Sequence, residues 1–403
     1  MSKLRVLELF SGIGAASKAL ENLGVEHEIV DAVEIDKYAI KAFNAIHGTN
    51  FEPQDITKWD KDIECDLIIH GSPCQDYSIA GLQAGGDKGS GTRSSLMYES
   101  VRIIEKLRPK YVIWENVKNL LSKKHRHNFD AYLETMERFG YTNYYQVLDA
   151  KNYGVPQHRE RVFTVSILGG GHFKFPEAIP LERKLKDVLE KEVDEKYYIS
   201  DAMMDYFMGV NQKPSKFPRK ERFLANINRA NQDIGNSITT NAGQRPTDNF
   251  VVDDMYKNRE PRVYNETSPT LRSERTGLKV VEPNLKTKLC NELIKEGVVQ
   301  GGEIINHSYT TSKQRNTLDK YIETKNGVMP TMTTRPDILG YVENNPIRIR
   351  KLTPKECWRL MGFDDASFER AEKVNSNAQL YKQAGNSIVV DVLMAIFGEL
   401  LNG

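Results

Sequence analysis

The sequence predicts an α/β protein: a mostly parallel β-sheet with helices on both faces, joined to a smaller, loop-rich, mainly β domain. Two observations predict the first part. Strand-like runs alternate with helix-like stretches over the first 168 residues. The strand-like runs are apolar throughout, as expected for parallel strands that are buried on both faces. A third observation, the polar composition of residues 170–345, predicts the second part.

The elements of the first part follow one another along the chain. The strand-like runs are LRVLELF, IVDAVEI, DLIIHG, YVIWEN, YYQVLDA and RVFTVSIL. Helix-like stretches lie between several of them, at residues 15–23, 37–47, 94–107 and 126–139. Strands that alternate with helices of this length are typical of βαβ units.

The rest of the chain divides in two. Residues 170–345 are rich in Asn, Thr, Arg and Pro and have few long apolar periods, which favours a mainly β domain. Regular patterns return at about Ile347, where Thr353 and Pro354 indicate the N-cap and first residue of a helix. The run GNSIVVDVLMAIFGELL predicts a long closing helix. We expect three parts: a first domain at 1–169, a second at 170–345, and a segment at 346–403 that returns to the first.

Composition limits the classes of function. The chain has 403 residues, a formal net charge of +1, and four widely separated cysteines, Cys65, Cys74, Cys290 and Cys357. This spacing argues against a zinc ribbon or a disulfide framework, and we expect no metal. No apolar run reaches 18 residues and no secretory signal is recognisable, so we expect a cytoplasmic protein without a membrane span. Because the net charge is near zero, an anionic partner would bind local basic patches.

The turn after the first strand carries two glycines in ELFSGIGAAS. Gly12 and Gly14 permit a tight turn and the close approach of a ligand, although a plain structural turn explains them equally well. Glu34 ends the second strand, where an acidic group binds ribose hydroxyls in nucleotide-binding folds. Ser17 replaces the third glycine of a dinucleotide site. A nucleoside without phosphates, such as S-adenosylmethionine, therefore fits better than NAD.

Polar residues follow two further strands. Cys74 stands just after DLIIHG and Glu115 ends YVIWE, at the sheet edge where α/β proteins bind ligands. Cys74 is either a buried structural cysteine or a nucleophile. Glu115 is either a helix-capping acid or an acid catalyst. Arg159 and Arg161 alternate at the start of a strand and face one side, as a solvated basic face or as part of the same site.

In this order, the motifs resemble those of the 5-methylcytosine DNA methyltransferases. The matching elements, within residues 4–168 and 346–403, are ELFSGIG, EID, DIT, GSPCQ, RSSL, ENV, QHRER, RKLTPKECWRLMGF and GNSIV. The resemblance implies a Rossmann-like, S-adenosylmethionine-dependent methyltransferase core with residues 170–345 as the target-recognition domain. It also implies methyl transfer to carbon 5 of a cytosine in a specific double-stranded DNA sequence, by base flipping and a covalent Cys74 adduct.

The same resemblance implies the roles of individual residues. The catalytic groups would be Cys74, Glu115, Arg159 and Arg161. The cofactor residues would be Phe10, Gly12, Ile13, Gly14, Glu34, Ile35, Asp55, Ile56, Leu96, Asn386 and Ser387. Among these, Glu34 would bind the ribose, Asp55 with Ile56 would read the adenine, and Asn386 would come from the C-terminal helix beside the first strand. The chain departs from the family at Ala15, often a glycine, and at Ala80, a serine in some members that fills the gap left by the flipped base.

Double-stranded DNA is the expected partner, with the basic stretches QKPSKFPRKER and SKKHRH available to phosphates. We expect a monomer, and any cognate restriction endonuclease would act separately. One alternative is an RNA cytosine methyltransferase of the same family. That branch carries a Cys-Phe-Thr signature, which neither Cys290 nor Cys357 provides. The others are a catalytically silent nucleic-acid binder, at odds with Cys74 and Glu115, and an NAD oxidoreductase, disfavoured by Ser17.

Overall fold

The structure is a computed structural model, and it describes residues 3–73, 92–198, 227–229, 250–253 and 348–402. The described residues fall into two compact units. The first takes those of Met1–Val193 and Lys351–Gly403 together with Phe250, and the second takes those of Asp194–Ala230 and Val251–Arg350. Cys74, Ala80 and the stretch QKPSKFPRKER lie outside the described residues.

Six strands form the sheet of the first unit, in the order β2-β1-β3-β4-β6-β5. The strands are β1 (Leu4–Leu9), β2 (His27–Val33), β3 (Leu67–His70), β4 (Tyr111–Val117), β5 (Tyr141–Asp149) and β6 (Glu160–Leu168). The helices between them are α1 (Ala15–Asn22), α2 (Lys37–His47), α3 (Met97–Leu107) and α4 (Arg126–Arg138). These bounds agree closely with the predicted runs.

The pairing is parallel across the four neighbouring strands β2, β1, β3 and β4. In contrast, β6 pairs antiparallel with both β4 and β5. The reason lies in the connection between β5 and β6. It contains only the short 3-10 helix Ala150–Tyr153, whereas a parallel crossover needs a longer connection, usually through a helix. The α/β class with a mostly parallel sheet is therefore confirmed, with β6 as the antiparallel strand.

Side chains of β1 show that helices cover both faces of the sheet. Leu7 and Leu9 belong to a buried cluster with Val101 of α3 and Phe129 of α4. Glu8, between them in sequence, points the other way and accepts hydrogen bonds from Ser17 of α1. Because successive side chains of a strand alternate between faces, α1 and the pair α3 and α4 lie on opposite sides.

Short elements follow the sheet. Helix α5 (Leu185–Val188) belongs to the first unit. A second sheet has three strands in the order β7-β8-β9, namely β7 (Ile227–Arg229), β8 (Phe250–Asp253) and β9 (Arg348–Lys351). The C-terminal helices are α6 (Pro354–Arg359), α7 (Asp365–Glu372), α8 (Asn377–Asn386) and α9 (Val390–Asn402). Thr353 caps α6, and its side chain accepts a hydrogen bond from the Glu356 N–H, as its sequence predicts.

The predicted long closing helix is wrong in its first part. Helix α8 ends at Asn386, because Ser387 has extended backbone angles (φ −70°, ψ 154°), and α9 begins only at Val390. The carbonyl groups of Gly385 and Ser387 accept hydrogen bonds from the Arg159 side chain instead of continuing a helix. Helix α9 then packs against α1, which brings the C-terminal segment into the first unit.

One stretch, Asn377–Leu401, is apolar and long enough to cross a membrane by length and composition alone. Half of its most apolar window is buried inside the protein. The extended residue Ser387 also interrupts the helix there. Burial against the core explains the apolar composition of α8 and α9, so this stretch gives no indication of a membrane span.

Candidate functional site

The register of the sheet places three predicted site residues, together with Gly71, in one row. Leu9 of β1 lies opposite Val33 and His70, and His70 lies opposite Trp114. Because these four strands are parallel, the residues that come next line up along the carboxyl edge of the sheet. That row runs in the order Glu34, Phe10, Gly71 and Glu115. It joins the predicted cofactor end, at Glu34, to the predicted catalytic end, at Glu115.

The loop of residues 10–14, between β1 and α1, holds three residues in the left-handed region: Phe10 (φ 53°), Gly12 (φ 56°) and Gly14 (φ 81°). The two glycines have different surroundings. A Cβ on Gly12 would meet no atom within 4 Å, so this side of the loop is open. A Cβ on Gly14 would lie 2.1 Å from the His47 ring of α2. Gly14 is therefore needed for helix packing, while Gly12 leaves room for a ligand.

The Glu34 carboxylate connects the end of β2 to this loop. It accepts hydrogen bonds from the Gly12 N–H at 3.1 Å and from the Asp36 N–H at 2.8 Å. Burial raises the pKa of Glu34, and those two backbone N–H groups oppose the rise. Each carboxylate oxygen retains a lone pair for a hydroxyl donor. The next residue, Ile35, is 71% exposed, so it offers an apolar surface beside the carboxylate.

Asp55 lies on the connection between α2 and β3, as the N-cap of a 3-10 helix, Ile56–Lys58. Its Oδ1 accepts hydrogen bonds from the Thr57 N–H at 3.0 Å and the Thr57 hydroxyl at 2.8 Å, and these bonds hold its pKa below the ordinary value. No described residue hydrogen-bonds to its Oδ2. The preceding Gln54 N–H donates to the Glu34 carbonyl at 2.8 Å, so Asp55 lies next to the Glu34 end of the row.

Glu115 and Arg161 form an ion pair across β4 and β6. Arg161 lies opposite Val117, two residues from Glu115 and on the same face, and its Nε is 3.1 Å from Glu115 Oε1. Burial raises the pKa of Glu115, and the positive charges of Arg161 and Arg159 oppose the rise. A Cβ on Gly71 would lie 3.6 Å from Glu115 Oε2. The carboxyl group therefore sits beside the start of the segment that leads to Cys74.

Arg159 connects the C-terminal segment to this site. It is buried, and its Nη2 donates to the carbonyls of Gly385 at 3.2 Å and Ser387 at 3.0 Å. Helix α8 also contacts the residues after Glu34, since its Lys382 pairs with Asp36 at 2.6 Å. The C-terminal half of α8 thus contacts both the Glu34 end of the row and Arg159. Asn386 and Ser387 are its last residue and C-cap.

The remaining predicted cofactor residues are Ile13, Ile56 and Leu96. Leu96 ends the 3-10 helix Arg93–Leu96 and packs, half-buried, on the core cluster. Ile13 and Ile56 are buried, so their side chains contribute packing and their backbones are the groups available to a ligand. Among the residues that the structure describes, no cluster of three or more His, Cys, Asp and Glu side chains could hold a metal ion.

Sequence reasoning missed the hydrogen bonds around Ser72. The Trp114 indole N–H donates to the Ser72 hydroxyl at 3.1 Å, and the Asn116 side-chain amide donates to the Ser72 carbonyl at 3.3 Å. All three residues are buried. These bonds fix the backbone two residues before Cys74 to the end of β4. The motifs GSPC and ENV, at the ends of neighbouring strands, were the available signal. Neither motif indicates by its sequence which residue it hydrogen-bonds to.

The chain is similar to known proteins over its whole length. The family model for the C-5 cytosine-specific DNA methylase matches residues 4–402. The orphan methyltransferase M.Rho11sI of Bacillus phage rho11s is 31% identical over 504 residues, covering 100% of this chain and 98% of that protein. The type II methyltransferase M2.ScrFI of Lactococcus lactis subsp. cremoris is 29% identical over 453 residues, covering 98% of this chain and 99% of that protein.

Solved structures share the fold. The S. pombe Dnmt2 methyltransferase superposes with a TM-score of 0.60 at 16% identity, covering 100% of this chain and 99% of that one. The Entamoeba histolytica methyltransferase EhMeth gives a TM-score of 0.62 at 15% identity, with the same coverage. At such low identity the likeness concerns the architecture alone, which is that of the Rossmann-like methyltransferases.

Proposed function

Because this chain belongs to the C-5 cytosine-specific DNA methylase family and is a DNA (cytosine-5-)-methyltransferase, we propose that it methylates one cytosine within a specific double-stranded sequence through a covalent Cys74 adduct. The match over residues 4–402 confirms the family that the motifs predicted. The observation that supports the proposal best is the row along the carboxyl edge. It puts the Glu115–Arg161 pair beside the segment that leads to Cys74.

The family implies S-adenosylmethionine as the methyl donor, and the residues at the Glu34 end of the row fit it. The donor supplies a methyl group made electrophilic by its sulfonium. Glu34 has acceptor capacity for ribose hydroxyls, and Asp55 Oδ2 can accept a hydrogen bond from the exocyclic amine of adenine. The exposed Ile35 side chain can pack on the base, and Gly12 leaves open space beside the loop.

Cysteine chemistry overcomes the low nucleophilicity of cytosine carbon 5. Addition of the Cys74 thiolate to carbon 6 makes carbon 5 enamine-like, and carbon 5 then takes the methyl group. Loss of the carbon 5 proton and expulsion of the thiolate give 5-methylcytosine and restore Cys74. The reacting carbon is inaccessible in a stacked duplex, so the base must be flipped out, at a cost of a few kcal/mol.

Glu115 assists the addition. A carboxyl group with a raised pKa keeps its proton more readily and can donate it to ring nitrogen 3, which makes carbon 6 more electrophilic. Arg161 fixes the direction of this carboxyl group through its 3.1 Å contact. Arg159 holds the C-terminal segment in place and adds positive charge near the same carboxyl. The two arginines thus have different roles.

We also propose that residues 170–345 recognise the target sequence, since the predicted catalytic groups all lie elsewhere. Their basic stretch QKPSKFPRKER suits contact with phosphates. The second basic stretch, SKKHRH, follows β4 and belongs to the first unit. There Lys123 is exposed, while Arg126 pairs with Asp130 at 2.7 Å. Lys123 is therefore the side chain of this stretch that we expect to contact the DNA backbone.

Trapping with 5-fluorocytosine tests the mechanism. Fluorine cannot leave carbon 5 as a cation, so a target cytosine carrying it should stall after methyl transfer with the Cys74–carbon 6 bond intact. We expect a complex that survives denaturing electrophoresis and accumulates only when S-adenosylmethionine is present. Cys74→Ser should abolish it, because a hydroxyl is far less ionised than a thiol.

Buried cysteines provide matched controls for the trap. Cys65 and Cys357 are buried, and burial raises the pKa of Cys65 to about 12, which keeps it a thiol. Cys65→Ser and Cys357→Ser should therefore still form the complex. A complex that persists in Cys74→Ser, or a peptide map that puts the adduct on another residue, would show that the mechanism is wrong.

A further inference from the structure

The segment of residues 54–61, which we call the Asp55 segment, has little secondary structure of its own. Within it, the Lys58 N–H donates to the Asp55 carbonyl at 3.0 Å and the Trp59 N–H to the Ile56 carbonyl at 3.3 Å. These bonds define a single 3-10 turn, Ile56–Lys58. Short 3-10 turns are weak elements, so contacts with the surrounding protein must set where Asp55 lies.

A buried carboxylate of β2 supplies those contacts. Asp31 is 1% exposed. Its Oδ1 accepts a hydrogen bond from the Gln54 side-chain amide at 2.8 Å. Its Oδ2 accepts from the Trp59 indole at 2.7 Å and from the Lys61 ammonium at 2.8 Å. One side chain therefore binds both ends of the Asp55 segment, and it stands three residues before Glu34 on the same strand.

The charge on Asp31 is part of this arrangement. Burial raises the pKa of its carboxyl group, but hydrogen bonds from Lys61, Trp59 and Gln54 outweigh burial and hold the pKa below the ordinary value. The ionised carboxylate accepts at both oxygens, which a neutral amide of the same shape cannot do. Asparagine at this position would direct an NH₂ group toward at least one donor.

A second contact holds the opposite side of the segment. Arg102 of α3 donates from Nη2 to the Ile56 carbonyl at 3.0 Å and to the Trp59 carbonyl at 2.9 Å. Lys106 of α3 binds the Asp60 carboxylate at 2.7 Å, and the Gln54 N–H donates to the Glu34 carbonyl at 2.8 Å. That backbone bond holds the start of the segment beside Glu34, and Asp31 holds the side chains on both sides of the 3-10 turn. The placement of Asp55 against Glu34 therefore depends on Asp31 together with these bonds.

We propose that Asp31 is a positioning residue that sets Asp55 against Glu34 and so determines how strongly the enzyme selects adenine in its nucleoside substrate. The inference rests on the proposed function, since it needs Glu34 to hold the ribose and Asp55 to read the base. Asp31 lies outside every motif that carries the family resemblance. Its effect should appear in selectivity for the 6-amino group of adenine as well as in affinity.

Calorimetric titration of the full chain with two nucleosides tests this role. S-Adenosylhomocysteine carries the 6-amino group, and S-inosylhomocysteine has an oxygen in its place. We expect the wild-type protein to prefer the adenosyl compound by about tenfold or more, as a hydrogen bond to a carboxylate provides. In Asp31→Asn, affinity for the adenosyl compound should fall by about tenfold, and the preference should shrink toward unity.

Asp66→Asn is the matched control. Asp66 precedes β3 at the opposite edge of the sheet and accepts hydrogen bonds from the Arg5 backbone and side chain. Loss of the Asp66 carboxylate should lower the thermal unfolding midpoint without changing the preference for the adenosyl compound. If Asp31→Asn also keeps the wild-type preference, Asp31 is merely a structural anchor and the inference is overturned. A wild-type protein with no preference would overturn it too.

Two further outcomes have to be distinguished from a failure of the inference about Asp31. A wild-type protein that binds neither nucleoside would contradict the proposed function itself. If Asp31→Asn does not fold, Lys61→Met takes its place, because it removes one donor from an exposed residue and leaves the carboxylate. Lys61→Met should reduce the adenosyl preference by about threefold, because Asp31 loses one of its charged hydrogen bonds and keeps the others. An unchanged preference in that variant would overturn the inference.

Discussion

Two buried serines allow a matched test of the hydrogen bonds before Cys74. Ser72, Trp114 and Asn116 are 3%, 1% and 1% exposed, and the Ser72 hydroxyl accepts the Trp114 indole N–H at 3.1 Å. Ser72→Ala leaves that N–H buried without its acceptor, which costs about 1–3 kcal/mol. The Asn116 amide also donates to the Ser72 hydroxyl at 3.4 Å, but it keeps its bond to the Ser72 carbonyl at 3.3 Å, so the loss should not exceed this range.

Ser100 provides the same chemical change without the lost bond. It is 0% exposed, and its hydroxyl has no hydrogen-bond partner among the residues that the structure describes. Ser100→Ala removes an unsatisfied polar group, so stability should change by less than about 0.5 kcal/mol or increase. Both serines lie in the first unit, so the two variants report on the same unfolding transition.

Urea unfolding followed by circular dichroism measures the difference. With a slope of about 2 kcal/mol/M, the midpoint of Ser72→Ala should fall by roughly 0.5–1.5 M. The midpoint of Ser100→Ala should stay within about 0.3 M of the wild type. Single-turnover methyl transfer should slow in Ser72→Ala alone, because Ser72 fixes the backbone before Cys74, the proposed nucleophile. Equal midpoint shifts in the two variants would refute the assigned bond.

Two further predictions concern pH and specificity. Burial raises the pKa of Glu8 from 4.5 to about 7, against hydrogen bonds from Ser17. Its stabilising contribution is thus fully present below about pH 4.5 and is lost as the pH rises through about 7, a change of up to about 3 kcal/mol. In Glu8→Gln, the thermal unfolding midpoint should depend less on pH between pH 5 and 8 than in the wild type. The same change of midpoint with pH in both proteins would contradict this. Exchanging residues 170–345 for the corresponding region of M2.ScrFI should change the sequence methylated in bisulfite sequencing, and an active chimera that keeps the original target would contradict the domain assignment.

Part of the site could be predicted because it depends on which residues follow each strand in the sequence. Parallel strands end at one edge, so apolar runs followed by Phe10, Glu34 and Glu115 were enough to place these residues in a row. The alternation of Arg159 and Arg161 likewise predicts a shared face, and this stays a prediction because β6 begins only at Glu160. These inferences need only the pattern of the strands and the rule for parallel sheets.

Long-range partners could not be predicted in the same way. The bond from Arg159 to the Ser387 carbonyl joins residues 228 positions apart, and nothing local in either motif indicates it. The break at Ser387 was missed for the same reason, because tertiary hydrogen bonds override the helical pattern of its surroundings. Asp31 resembles any polar residue in a strand until its partners, 23 to 30 positions away, are known.

The bonds from Arg159 to the Gly385 and Ser387 carbonyls join parts of the chain that lie 226 and 228 positions apart. No fragment that stops before residue 385 contains the carbonyl groups that Arg159 binds. A fragment that carries only the motifs up to β6 therefore leaves the Arg159 side chain without these acceptors. Such a fragment would need a second fragment, containing α8 and α9, to restore them by complementation.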